Sequence, residues 1–283
     1  MSTVRSSMRR YWMSTSPSDL AASGSRGLRS RLGAVLLNAE RLTQVASIVA
    51  GLLIWELVAT QYSAFILPPP SAVLRRLFDP AFDLKLLKAL YGALQHMLAG
   101  FGLAVAVAVP LGILMGRHPR INAMLDPLVS ALYAIPSVAF VPFLVIWFGL
   151  FFESRVALVF IMAFPDMLIV ITAGARDIKR NLFAVGRSFG ASPLQIALKV
   201  TLPAMLPFLM TAFRVGIARA INGMITAELF LAAVNLGAMM KDSARTFDSA
   251  GVLTVVVVVC LLGLTAQALI AALEARLLHW HHR

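Results

Sequence analysis

From Ser249 to Leu273 the chain reads "SAGVLTVVVVVCLLGLTAQALIAAL" without a single charged side chain. A helix of that length, rising about 1.5 Å per residue, is long enough to cross a hydrocarbon layer about 30 Å thick. Met97 to Gly116, "MLAGFGLAVAVAVPLGILMG", is equally free of charge. Inside lipid no water can satisfy backbone N–H and C=O groups, so such segments must close their hydrogen bonds internally, as helices do. Repeating the search along the chain predicts six spans, at about 44–63, 93–116, 127–150, 155–174, 202–229 and 251–273. The expected fold is therefore all-α, a polytopic membrane helix bundle. The third span carries Pro127, Pro136 and Pro142 and should be kinked or broken. Proline at that depth is tolerated where neighbouring helices satisfy the freed backbone groups.

Charge sets the expected orientation. The chain is 59% hydrophobic, only 13% charged, and carries a net +12. In a soluble protein that excess would point to nucleic acid. In a membrane protein basic residues gather on cytoplasmic loops, so no nucleic-acid partner is expected. The tail before span one, the loops after spans two and four, and the C-terminus together hold 16 basic residues. The other three loops with their span edges hold seven: Arg75, Arg76, Lys85, Lys88, Arg155, Lys241 and Arg245. Both termini are thus expected in the cytoplasm. The domains follow: a loosely ordered tail at 1–43, a transmembrane domain at 44–275 and a short tail at 276–283. The first tail is Arg- and Ser-rich but lacks the apolar core of a secretory signal. It fits a cytoplasmic tail better than a transit peptide. After span one, "FILPPPSAVLRRLF" places Ser71 as a possible N-cap of a short surface helix, with a plain linker as the equal alternative.

The loop after span four is the most tightly specified stretch. It reads "GRSFGASPLQIALKVTLPAMLPF", Gly186 to Phe208. A first helix is expected from near Asp177 to Phe189, with Gly190 in the left-handed position that ends it. Ser192, Pro193 and Gln195 then form a Ser-x-x-Gln capping box with proline at the first helical position. Leu202-Pro203 should mark the start of span five. The expected path is helix, corner, second helix, membrane.

The glycine, nine residues, an aliphatic, one residue and Leu-Pro of this loop (Gly190, Val200, Leu202, Pro203) resemble the cytoplasmic loop of ABC importer permeases. Further segments carry the resemblance from about Ala46 to Trp280: "WEL", "LPPPSAV", "AGARDI", "AELF", "NLGAMMKDSARTFDSAGV" and "LEARLLHW". The likeness runs to the nitrate/sulfonate/taurine group of binding-protein-dependent permeases. It implies a coupling helix docking on a separate ATPase, through Ala184, Arg187, Gly190, Ala191, Ser192, Val200, Leu202 and Pro203. It further implies ATP and magnesium on that partner and no cofactor on this chain. A solute-binding protein would meet the outer face, and a second copy of the permease would complete the pathway in the bilayer. The family's loop glutamate falls on Ala184 here, and its two following alanines fall on Val185 and Gly186. Arg187 is the nearest charge to the missing acid.

Two other classes compete. A secondary transporter would show an internal repeat, and none is evident. A membrane enzyme needs a nucleophile and base, two carboxylates or a metal cluster. The histidines are His96, His118, His279, His281 and His282, with no pair at zinc-ligand spacing inside a span. No glycine-rich phosphate loop is present, so neither catalysis nor metal binding is expected of this chain. Cys260 reads as a small core filler. Charges inside the spans are Glu56, Asp166, Arg214, Arg219 and Glu228. They either line a pathway or pair with one another. Depth counted from the span ends puts Arg214, Asp166 and Glu56 near the midplane, so Arg214 is predicted to pair with Asp166 first and Glu56 second. Arg219, five residues further on, should face another way and lie nearer the outer surface.

Overall fold

The computed structural model describes residues 42–63, 66–178, 180–231 and 234–278. Almost all of the predicted N-terminal tail and the terminal "HWHHR" lie outside the described residues. The helix α1, Leu42–Ala59, belongs to one compact unit ending at Tyr62, and the chain from Ser63 onward to a second.

In the second unit a short helix α2, Pro70–Leu77, follows the proline run. Pro69 holds its N-cap and Pro70 its first turn, so Ser71 is not the cap. The fixed φ and missing N–H of proline suit that position, which moves the start upstream of Ser71. α2 buries Val73. A long helix α3, Pro80–Arg117, begins well before the predicted second span. The helices α4, Pro119–Ala134, and α5, Val141–Phe148, are joined by a 3₁₀ turn at Ser137–Phe140. Together they are apolar enough to cross a membrane but are bent by 94°. The break falls at Pro136, which cannot continue the ladder and holds Ile135 extended. Then come α6, Phe152–Asp177, α7, Arg180–Ser188, and α8, Pro193–Ile196. A long α9, Leu202–Phe230, is followed by α10, Asn235–Arg245, and α11, Ser249–Leu277. Among the described residues five helices are long and apolar enough to span a bilayer, or six with the bent pair counted once.

The core lies between α3, α6 and α9. Leu158, Met167 and Leu168 of α6 are fully buried, as are Ala93 and Ala104 of α3 and Met205 and Met224 of α9. Glycines let the helices approach closely. A Cβ at Gly100 would lie 2.6 Å from the Val159 Cβ, and one at Gly112 2.7 Å from the Ile171 Cγ2. Between helices in lipid, small residues and close packing replace the hydrophobic driving force. α11 buries Gly251, Thr254, Val255 and Val258, while Cys260, Leu264 and Leu269 are exposed. Cys260 is therefore no core filler. Among the described residues of the second unit, nothing covers this apolar face of α11.

Candidate coupling corner and intramembrane polar sites

The corner forms as its residues dictate, with two corrections. The helix expected from Asp177 to Phe189 is broken at Ile178, whose backbone is extended, so that α7 begins at Arg180. At its end Gly190 takes φ +72°. Its N–H donates to the Arg187 carbonyl at 2.9 Å, and the Ala191 N–H to the Gly186 carbonyl at 3.1 Å. This double bond pattern closes a helix through a left-handed residue, where glycine carries no Cβ penalty. Ser192 then caps α8. The Gln195 N–H donates to Ser192 Oγ at 3.3 Å, and the Ser192 N–H to Gln195 Oε1 at 2.8 Å.

Leu202-Pro203 does not start a new helix. A π turn, Ala197–Thr201, joins α8 to α9, so helical structure runs from Pro193 to Phe230. Pro203 has no N–H to bond the carbonyl four residues back and would crowd it. The wider turn accommodates this, with the Leu202 N–H reaching the Ala197 carbonyl instead. Ile196 and Val200 pack inward on the core. The outward side is apolar and open: Phe189 is 86% exposed and Leu194 67%. Ala184 and Arg187 are exposed on the same corner.

The intramembrane charges pair differently from expectation. Arg214 Nη2 meets Glu274 Oε2 at 2.5 Å, not Asp166. The Gln267 side-chain amide donates to the Arg214 carbonyl at 3.0 Å, which sets that residue level with Gln267 on α11. Glu274 lies seven residues beyond, about 10 Å along the helix. The arginine therefore reaches along α11 toward a helix end, as long basic side chains do. Asp166 is taken by Arg219, with Nε at 3.1 Å from Oδ2 and Nη2 at 3.3 Å from Oδ1. Both arginines border one groove of about 490 Å³ with Val215, Ala218, Asn222 and Gln267. The two arginines were expected to face apart, yet both reach this one groove. The depth count set Arg214 level with Asp166, whereas it is Arg219, five residues further along α9, that reaches Asp166. Glu56 lies in α1, half-buried.

The two-point Asp166–Arg219 contact joins α6 to α9. Replacing Asp166 by asparagine is expected to lower the amount of assembled protein, and exchanging the two charges to restore part of it. The expected coupling is about 1 kcal/mol, read by a double-mutant cycle on thermal stability in detergent. Full additivity of the two single changes contradicts it.

Glu228 does not join this groove. It is fully buried at the end of α9. Its carboxylate accepts from Asn235 Nδ2 at 2.9 Å and from the Gly237 N–H at 3.0 Å. It thereby holds the start of α10, where Asn235 sits at φ +50°. His96 Nε2 stands 3.7 Å from Glu228 Oε1, and its Nδ1 faces the Gly92 carbonyl at 3.1 Å. His96, Asn235 and Glu274 were absent from the predicted set. Beside Glu228 itself, a histidine inside an apolar span is the sequence signal for this cluster.

The model of binding-protein-dependent transport system inner membrane components matches residues 108–279. The chain belongs to that family: it is an ABC importer permease with membrane-spanning helices. The taurine transport system permease protein TauC of Escherichia coli is 29% identical over 87% of this chain and 92% of its own. The riboflavin transport system permease protein RibX of Chloroflexus aurantiacus is 31% identical over 77% and 82%. The putative aliphatic sulfonates permease SsuC of Bacillus subtilis is 27% identical over 81% and 84%. A solved chain of the MetNI methionine ABC transporter shares the fold, with a TM-score of 0.63 at 18% identity. It covers 71% of this chain and 99% of that one.

Proposed function

We propose that this permease couples to a separate ATPase subunit through the corner at Gly186–Val200 and carries a small anion of the sulfonate, taurine or nitrate kind. The observation that supports the coupling is the corner itself: a glycine-closed helix end and a capping box hold Phe189 and Leu194 out of the protein. Exposed apolar side chains on a rigid corner suit docking into a cleft. ATP and magnesium would be bound by the ATPase and a solute-binding protein would deliver substrate. Two permease copies would enclose the pathway. The names of the taurine and sulfonate relatives support the anion. The groove bearing Arg214 and Arg219 contributes little net charge, because each guanidinium already has a carboxylate. Selectivity then rests with the binding protein, which accords with a relative named for riboflavin.

Orientation tests the scheme. In a Cys260→Ala background, a cysteine at Ser192 should resist impermeant thiol reagents outside intact cells and react after lysis. A cysteine at Asp242, on α10, should react from outside. Labelling of position 192 from outside reverses the topology and ends the docking proposal.

A further inference from the structure

A second cavity, of about 590 Å³, lies where α3 and α6 end, beside α7. Arg117, Arg176 and Arg187 line it, together with Asn122 and the apolar Met115 and Phe183. The Arg117 guanidinium lies 3.5 Å over the buried Phe183 ring. Among the described residues no carboxylate lines the cavity, and none pairs with any of the three arginines. Its floor is firm: a Cβ at Gly116 would lie 2.7 Å from the Thr172 carbonyl oxygen, so α3 and α6 touch there. Three guanidiniums around one space, held without a counter-charge, call for an oxyanion able to accept forked hydrogen bonds.

We propose that this cavity binds the phosphate of an anionic phospholipid headgroup. Depth chooses that source. Arg117 is the last residue of the α3 span and Arg176 the last but one of the α6 span, so the cavity sits where headgroups lie. The apolar side chains of Met115 and Phe183 suit the glycerol end of a lipid better than a freely hydrated ion. Arg187 and Ala184 belong to both the cavity and the proposed docking corner, so a bound headgroup would brace α7 against the ends of α3 and α6.

Native mass spectrometry of the full-length chain tests this. Delipidated protein is titrated with phosphatidylglycerol, with phosphatidylcholine and with inorganic phosphate. Wild-type protein should retain phosphatidylglycerol over phosphatidylcholine. The Arg117→Gln/Arg176→Gln double variant should weaken that retention roughly tenfold or more. Arg120→Gln, a nearby basic residue that does not line the cavity, should keep it. Ala184→Asp, which adds a carboxylate to the lining and keeps every arginine, should weaken it similarly and covers the case of a misfolded double variant. Equal retention by wild type and both cavity variants overturns the site. Displacement of the lipid by inorganic phosphate at matched concentration overturns the lipid source. Loss of the lipid on adding the ATPase subunit gives the cavity to the partner and also overturns the proposal.

Discussion

Gly190→Val is expected to leave the permease inserted and assembled but to uncouple it. At φ +72° a side chain bearing a Cβ costs about 1–2 kcal/mol, and a β-branched one more. Space is not the obstacle, since nothing lies within 4 Å of the would-be Cβ. The penalty is conformational. The cheapest relief is to open the turn, which breaks the bonds from Gly190 N–H to Arg187 and from Ala191 N–H to Gly186. α8 then leaves its set angle to α7, and Phe189 and Leu194 lose their fixed spacing. Transport should fall to near background, and ATP hydrolysis should stop responding to the binding protein. Gly190→Asn, which tolerates the left-handed region, should retain much of both activities. Normal coupled transport in the valine variant removes the corner from the mechanism.

Glu228→Ala should act on assembly instead. It deletes the acceptor of two hydrogen bonds, leaving the buried Gly237 N–H unpaired and the half-buried Asn235 amide without its carboxylate. Such a loss costs about 2–5 kcal/mol, a large share of the stability of most proteins. Gly237 also packs its backbone on Glu228, where a Cβ would come within 2.6 Å of the glutamate. Replacement should therefore loosen α10 as a unit. The yield of monodisperse protein in mild detergent should drop severalfold, and protease should cut near Asn235. Glu228→Gln keeps one acceptor and should fall between. A Glu228→Ala protein that assembles normally and loses only transport assigns the carboxylate to the pathway.

What was legible from the sequence was what depends on near neighbours. The corner needed only Gly190, Ser192, Pro193 and Gln195, because helix capping is settled within a turn on either side. The spans were legible because the absence of charge over a bilayer's thickness leaves few alternatives. The break in the third span followed from Pro136. Partners across the bundle were not legible. Arg214 and Glu274 are 60 residues apart, and Arg219 and Asp166 are 53 apart. Their pairing depends on how the helices are rotated and set against one another, which no local pattern specifies. Glu228 was marked as an intramembrane charge. Its role needed Asn235 and Gly237, which reach it only after the chain has left α9.

The most direct test is ATP hydrolysis by an assembly purified through this chain alone and placed in lipid. An ATPase subunit should copurify, and its hydrolysis should rise several-fold when solute-binding protein loaded with substrate is added outside. That rise should vanish in the Gly190→Val assembly while basal hydrolysis remains. Substrate uptake by this chain with no ATPase present, or hydrolysis indifferent to the loaded binding protein in the wild-type assembly, contradicts the coupling of this permease to ATP.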